Sequence, residues 1–319
     1  METPRKGVAG DGDEFGHSSF IIAENSPGWS TYPIEPLSAS QKQDYLRHLG
    51  MPEALEPTKA NLDALISVHL ERVPFENLDN LLDRPAPLDA EAVLRKVMQL
   101  GRGGCCYELN SIFGRLLLAL GYRLQLRTAR VRLHVPESCR AKMTWPDHIV
   151  LCVHCEDDNH DWYIVDVSIG AVGIYRALSE KGEDEPFRVR RLGHPELPGT
   201  LEVSIPSKRQ GGSGWKVLYT VDPCLRHWVD FAPLYWFSTT YPQSQLRCKL
   251  IVARMLTDGS WLRLVNDRLS SWSRDGRRED LKALRDEHEI LDVLQRDFVL
   301  RPSHDEEMQQ WLIVFRDLV

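Results

Sequence analysis

No stretch of this 319-residue chain approaches the run of about 18 apolar residues that a membrane-spanning helix needs. Positive charge is also scarce. Against 46 Asp and Glu there are only 39 Lys and Arg, a formal charge of −7, so the basic footprint of a general nucleic-acid binder is missing. The first residues lack a basic-then-apolar secretory pattern, and the expected location is cytoplasmic. Seven cysteines at scattered positions make an odd set, which argues against a disulfide framework and for free thiols in a reducing compartment. Repeats, heptads and low-complexity tracts are absent. What remains is an ordinary globular composition, 42% apolar and 27% charged, on a chain long enough for two or three parts sharing a cleft.

Residues 1–36 are rich in Gly, Ser, Pro and Asp without apolar periodicity and are expected to form a mobile extension, with Phe20-Ile21-Ile22 able to lie on a surface groove. Helices follow over 37–121. A Ser40–Gln43 capping box opens the first, which Gly50 stops; the second follows Pro57-Thr58; the third runs from Asp89 to Gly101. The fourth is the most regular, with Leu109, Ile112, Phe113, Leu116, Leu117 and Leu120 on its faces and Gly121 at its end. Residues 122–133, 147–155, 162–169, 215–221, 248–256 and 261–265 read as strands, the last two joined by a hairpin at Asp258-Gly259. Residues 170–213 read as a long crossover. Helices return at about 286–298 and after a second capping box, Ser303–Glu306, where Met308, Trp311, Leu312 and Phe315 give an apolar face expected to dock on the body. Helices, then strands, then strands with helices predict a segregated α+β fold. The expected parts are 37–121, 122–213 and 214–319.

The segment Arg102-Gly103-Gly104-Cys105-Cys106-Tyr107-Glu108-Leu109-Asn110 carries most of the chemical information. Two glycines permit a tight turn, and a thiol follows in the first turn of a strong helix. Unpaired N–H groups and the positive end of the helix dipole favour a thiolate there. The same residues also allow a structural reading, as small buried cysteines behind glycines that cap the preceding helix. A nucleophilic thiolate needs a base, and the base an orienting carboxylate. His148 opens an apolar strand, and Asp166 lies inside Tyr163-Ile164-Val165-Asp166-Val167, where a charge amid an apolar strand is costly unless paired. Taken singly, each of these is more often structural than catalytic; the case rests on their occurring together, in order, on elements that can hold them.

These residues resemble the arylamine N-acetyltransferases. Arg102-Gly103-Gly104-Cys105-Cys106 is similar to that family's Arg-Gly-Gly-x-Cys motif, whose last residue is the nucleophile. Val73-Pro74-Phe75-Glu76-Asn77-Leu78 resembles the Ile-Pro-Phe-Glu-Asn-Leu signature, preceded by Leu65, His69 and Leu70. His148-Ile149-Val150-Leu151, Tyr163-Ile164-Val165-Asp166-Val167, Arg130-Val131 and Ser238 to Pro242 match in order, so the likeness spans about residues 40–300. It implies a helical bundle, a small β-barrel and an α/β lid around a cysteine-protease-like core with a Cys106–His148–Asp166 triad. It also implies ping-pong transfer from an acyl-CoA, acetyl-CoA first and malonyl- or propionyl-CoA as alternatives, to an arylamine or arylhydrazine. No permanently bound cofactor is expected, and the protein is expected to be a monomer or weak homodimer. The Cys106 N–H is the simplest oxyanion donor. The likeness departs after Asp166: Ser168-Ile169-Gly170 replaces Gly-Phe-Gly, the usual prolines are missing from Ala171-Val172-Gly173, and Cys105 stands where a bulkier residue is common. Cys105 is expected to be buried.

Phe75 and Ile169 are the expected acceptor-pocket residues, and a loop at Ser238-Thr239-Thr240 with Arg247 is the expected CoA phosphate site. Arg102 could meet CoA phosphate but is read first as a structural partner of Glu76, while Glu76 and Asn77 hold loop backbone. Arg130 or Arg132 could meet a carboxylated acyl group. The run Arg188-Val189-Arg190-Arg191 is read as a solvated face of the crossover. Cys152-Val153-His154-Cys155 offers zinc-ligand types, but 152 and 155 point to opposite faces of a strand, and no metal is expected. A Cys-His-Asp hydrolase or transglutaminase-like enzyme, and a family member that binds ligand without turnover, are the competing readings.

Overall fold

The computed structural model describes residues 34–319, apart from 134, 136–143, 158–160, 171–172, 183–185, 194–197, 210–211 and 275–276. The expected extension, with Phe20-Ile21-Ile22, lies outside the described residues except for 34–36. Helix α1, Ala39–Leu49, is capped two residues before the expected cap: the Ser38 hydroxyl accepts from Gln41 N, and the Gln41 side chain accepts from Ser38 N. The sequence contains both Ser-x-x-Gln frames. The earlier one lets buried Leu37 donate its N–H to the Arg115 carbonyl. Helix α2 (Lys59–Arg72) is capped by Thr58 and leads through β1 (Phe75–Glu76) to the short α3 (Leu78–Leu81). Helix α4 (Ala90–Met98) is capped by Asp89, and α5 (Cys106–Ala119) is buried along nearly its whole length. An apolar stripe alone does not bury a helix all round; α5 is central because helices and sheet pack against it from several sides.

The strands follow: β2 (Arg123–Val131), β3 (His148–His154), β4 (Trp162–Val165), β5 (Leu178–Ser179), β6 (Arg188–Arg191), β7 (Leu201–Arg209) and β8 (Gly212–Arg226). They form one antiparallel sheet in the order β5-β4-β3-β2-β8-β7-β6. Ala129, Val150, Ile164, Leu178, Val189, Val203 and Tyr219, one from each strand, share a single apolar cluster. A sheet whose two edge strands meet in one interior is curled into a near-closed barrel.

The expected crossover over 170–213 is therefore corrected, since it contains β5, β6 and β7. The Arg188–Arg191 run is strand β6, with Arg190 paired to Glu202 across the ladder and Arg188 over the Trp215 ring. These strands gain stability from their partners rather than from their own weak alternation.

After a 3-10 turn at Trp228–Asp230 comes α6 (Phe231–Thr240). It was not expected from the sequence. Its aromatic run has only middling helix propensity, and its Pro233 sits in the first turn, where a missing N–H is tolerated. Helix α7 (Gln245–Cys248) leads to the second sheet, formed by β9 (Ile251–Met255), β10 (Trp261–Val265), β11 (Arg268–Trp272) and β12 (Arg278–Ala283), with β1 on its far edge beside β9. The 258–259 hairpin is present, with Gly259 at φ +78. Exposed, largely charged β12 has no apolar alternation and is strand only by pairing with β11.

Helices α8 (Glu287–Asp297) and α9 (Asp305–Arg316) close the chain. The expected Ser303–Glu306 box is replaced by a cap one residue later: His304 Nδ1 accepts from Glu307 N, and the Glu307 carboxylate accepts from Ser303 N. Trp311, Leu312 and Phe315 bury α9 against the second sheet and α8, as its apolar face predicts. Among the described residues no helix is long and apolar enough to cross a membrane.

Candidate active site

Cys106 is the first residue of α5, after the Gly103-Gly104 turn. A Cβ on Gly103 would lie 1.8 Å from the Pro74 carbonyl oxygen, so only glycine lets this loop pass so close to β1. Phe75 forms a bridge with Gly104, and Glu76 N donates to Gly104 O at 3.0 Å, tying the nucleophile loop to the second sheet.

Behind the loop lies a buried charge network. Arg102 pairs with Glu76 (3.0 Å), Asp79 (3.0 Å) and Glu307 (3.1 Å). Lys96 reaches Asp79 (2.6 Å) and Glu108 (2.8 Å). Glu108 accepts from Cys105 N at 2.8 Å, and so holds the backbone just before the thiol. Asn77 donates to the Leu246 and Lys249 carbonyls and accepts from Ile251 N. The expected structural roles of Arg102, Glu76 and Asn77 are those seen. Lys96 was not legible, because it lies on an otherwise apolar helix face.

His148 starts β3, and its Nε2 lies 2.8 Å from Asp166 Oδ2, just past the end of β4. Asp166 Oδ1 accepts from Asn110 Nδ2 (3.0 Å), Ser168 N (2.9 Å) and Ser168 Oγ (3.3 Å). Ser168, a departure from the family pattern, thus adds a hydroxyl donor to the carboxylate. Burial pushes Asp166 up, but the His148 charge and these donors hold its pKa below the ordinary value. Burial pushes His148 down, yet Asp166 and Cys106 raise its pKa well above the ordinary value. Burial likewise raises the Cys106 thiol, but hydrogen bonds from Cys105 and His148, with the His148 charge, bring it to about 6. At neutral pH these directions favour a thiolate beside an imidazolium. Cys105 is fully buried, as expected, and its pKa is raised well above normal by its bond to Cys106 and by burial.

Cys106 and His148 open into a cavity of about 530 Å³. Phe75 and Ile169 line it, together with Trp145, Phe237 and Ser238. Gly170, also on its wall, has φ +67, and a Cβ there would strike the Phe75 ring at 2.8 Å. The expected loop at Ser238–Thr240 is corrected to the last turn of α6. There Thr239 and Thr240 hydroxyls donate to the Tyr235 and Trp236 carbonyls, and Arg247 on α7 pairs with Asp83. A helix C-terminus carries partial negative charge, which is a poor setting for phosphate.

Sequence reasoning passed over Asn110, Asp147, Lys249 and Arg263. Asn110 had a readable signal, a polar residue on a strongly apolar helix one turn after Cys106. The other three take their place on the cavity wall from the tertiary fold.

A family model described as N-acetyltransferase matches residues 58–305. The arylamine N-acetyltransferase of Escherichia coli (strain K12) is 29% identical over 246 residues, covering 75% of this chain and 83% of that one. An N-malonyltransferase of Fusarium pseudograminearum is 25% identical over 261 residues, covering 69% and 75%. The structure of Mycobacterium marinum arylamine N-acetyltransferase has a TM-score of 0.76 at 27% identity, covering 87% of this chain and 99% of that one. The same enzyme in complex with CoA has a TM-score of 0.74 at 26% identity, covering 86% and 98%. A match over most of the chain, carried by both sequence and fold, makes this protein an enzyme belonging to the arylamine N-acetyltransferase family.

Proposed function

We propose that this enzyme moves an acyl group from an acyl-CoA to the nitrogen of an arylamine or arylhydrazine through a thioester on Cys106, with His148 as base and Asp166 as its orienting carboxylate. One observation carries the reading: a thiol at a helix start whose pKa is brought to about 6 by Cys105 and His148, with His148 held by a buried carboxylate at 2.8 Å and both lining one cavity.

In the first step the Cys106 thiolate attacks the thioester carbonyl. The tetrahedral oxyanion meets the Cys106 N–H, which has no carbonyl partner within its own helix. The C–S bond to CoA breaks, and the CoA thiolate takes the imidazolium proton. In the second step the amine attacks the acyl-cysteine carbonyl, neutral His148 takes the amine proton, and the Cys106 thiolate leaves. The thiolate–imidazolium pair is thereby restored. Asp166 keeps the imidazole in one orientation by holding its Nε2 at 2.8 Å.

Acetyl-CoA is the proposed donor, with malonyl- and propionyl-CoA as alternatives; the relative named for malonyl transfer and the CoA complex of the mycobacterial enzyme support an acyl-CoA. Of the residues assigned to CoA, Ser238 is kept for its place on the cavity wall. Phe75 and Ile169 are the proposed acceptor contacts. A helical part over 37–121 bearing the nucleophile, a barrel over 122–213 and a lid over 214–319 belong to the same reading. So does a cytoplasmic monomer or weak homodimer, to which the six described free cysteines are suited.

The test is intact-mass spectrometry after separate exposure to acetyl-, propionyl- and malonyl-CoA, with peptide mapping. The expected result is one acyl increment on Cys106, discharged by an arylamine. Absence of label on Cys106 with all three donors would show the proposal to be wrong.

A further inference from the structure

We propose that Lys96 is a positioning residue for the nucleophile: through the carboxylate of Glu108 it fixes the turn that presents Cys106, and with it the direction of the Cys106 N–H and thiol. The proposal rests on the reading of Cys106 as the acyl-transfer nucleophile. Both ends of the turn hang from Lys96. At its start, Arg102 N donates to the Lys96 carbonyl at 3.1 Å. At its end, Lys96 Nζ lies 2.8 Å from Glu108 Oε1, and Glu108 Oε2 accepts from Cys105 N at 2.8 Å. One lysine thus holds residue 102 by its backbone and residue 105 by its ammonium group, and Cys106 is next in the chain. A Cβ on Gly104 would lie 2.9 Å from Glu108 Oε2, so the carboxylate rests directly on the turn. Gly103 and Gly104 have no side chains to anchor them, and the backbone between residues 102 and 105 is placed by bonds of this kind.

The charge balance makes the turn depend on this cation. Among the described residues four carboxylates converge behind it: Glu76 on β1, Asp79 on α3, Glu108 on α5 and Glu307 on α9. Two cations face them. Arg102 is bonded to Glu76, Asp79 and Glu307, while Lys96 is the cation paired with Glu108 and also meets Asp79 and Glu76. From α6, Tyr235 lies near the same carboxylates, its hydroxyl donating to the Ala86 carbonyl. Burial raises the Glu108 pKa, Lys96 pulls it down, and Asp79 and Glu76 push it up again, leaving it above the ordinary value. Burial pushes Lys96 down, but Glu108, Glu76 and Asp79 raise its pKa above the ordinary value, so it stays charged. Without the ammonium group, burial and two like charges act on Glu108 unopposed, and a proton replaces the lost cation. A neutral carboxyl is a weaker acceptor than a carboxylate, so the Cys105 peptide loosens. A misplacement of about 1 Å at a reacting group can cost about 100-fold in rate.

The test compares wild type with Lys96→Met, Lys96→Arg, Glu108→Gln and the double variant Lys96→Met/Glu108→Gln, each first checked for folding by circular dichroism and thermal melting. The first readout is the single-turnover rate of Cys106 acylation at saturating acetyl-, propionyl- or malonyl-CoA, whichever labels the wild type. Lys96→Met and Glu108→Gln are each expected to lower this rate by about tenfold or more, with little change in the donor concentration giving half-maximal rate. The double variant should be no slower than the slower single variant, because both changes act on one bond. Lys96→Arg keeps the charge and should retain much of the rate. The Lys96→Met deficit should shrink as pH rises and Glu108 regains its charge, while the Glu108→Gln deficit should not change with pH. The second readout needs no acyl transfer: the pH midpoint of iodoacetamide alkylation at Cys106, near 6 in wild type, should rise in both single variants. A folded Lys96→Met enzyme within about threefold of the wild-type rate, with an unmoved alkylation midpoint, overturns the proposal, and so does a double variant whose losses multiply. If Lys96→Met melts below the assay temperature, Lys96→Gln is read by the same criteria. A protein that never acylates Cys106, yet whose alkylation midpoint rises in Lys96→Met and Glu108→Gln, refutes the acyl-transfer reading and keeps Lys96 as the residue that positions the thiol.

Discussion

Asn110 Nδ2 lies 3.0 Å from Asp166 Oδ1, and Asn110 stands one helical turn after Cys106. The helix that carries the thiol therefore also braces the carboxylate. The same amide donates to the Ile149 carbonyl at 2.7 Å, and its oxygen accepts from Val167 N at 3.0 Å, so one side chain pins α5 to β3 and to the end of β4. Replacing Asn110 with Leu leaves buried groups unpaired and is expected to cost about 2–4 kcal/mol, read as a lower midpoint in chemical unfolding. Activity should fall further than stability alone explains. Asp166→Asn should abolish acylation as completely as His148→Ala; a stable Asp166→Asn enzyme with near-normal rates would show that Asp166 does not orient the base.

Alkylation by iodoacetamide, followed cysteine by cysteine through peptide mass, should give Cys106 a midpoint near pH 6. In His148→Ala the midpoint should rise toward an ordinary thiol value, about 8.5. Cys105→Ala should also raise it, by a smaller amount, because the Cys105 hydrogen bond to the thiolate is lost. Cys106→Ser should end turnover with every acyl-CoA, while Cys105→Ser keeps much of it.

His69 is fully buried beside Tyr45 and Phe113, and burial, with the nearby His48, pushes its pKa down to about 3. The unfolded chain takes up a proton on this imidazole near pH 6.5, whereas the folded chain resists it. Its contribution to stability is thus complete above about pH 6.5 and is lost as pH falls toward 3, amounting to about 2 kcal/mol by pH 5. Urea unfolding of wild type and His69→Phe from pH 8 to pH 5 should show the difference shrinking or reversing in favour of the variant as pH falls. A pH-independent difference would contradict the burial argument.

Glu307 of α9 pairs with Arg102 at 3.1 Å, and the Arg102 guanidinium lies over the Trp311 ring at 5.2 Å. The last helix thereby contacts the base of the nucleophile loop. Glu307→Gln should cost about 1–2 kcal/mol, since Arg102 keeps Glu76 and Asp79, and should lower the melting temperature by several degrees. Removal of residues 303–319 uncovers the second apolar cluster and should leave the protein aggregated at ordinary expression temperature.

The amino-acid sequence by itself determined those features whose physics closes within a few residues. The Thr58 and Asp89 caps, the apolar faces of α2, α4 and α5, and the place of Cys106 in the first turn after two glycines all belong there, because helix bonds and caps join residues three or four apart. Even at that level, two overlapping Ser-x-x-Gln frames left the start of α1 to be decided by the seating of Leu37. His148 and Asp166 were individually visible, but their 2.8 Å contact follows from the β3–β4 register, which pairs Leu151 with Val165. Strands β5, β6, β7 and β12 were not legible, because their own residues alternate weakly and their stability lies in the ladders beside them. Helix α6 was hidden by its aromatic run. The part of the cavity wall built by the second sheet was the least legible of all. Asn77 bonds Ile251 and Phe75 pairs with Ala253 across more than half the chain, and that pairing brings Arg263 to the cavity. Only the folded structure decides such contacts, since a strand's face and a cavity's lining depend on residues that the local sequence does not contain.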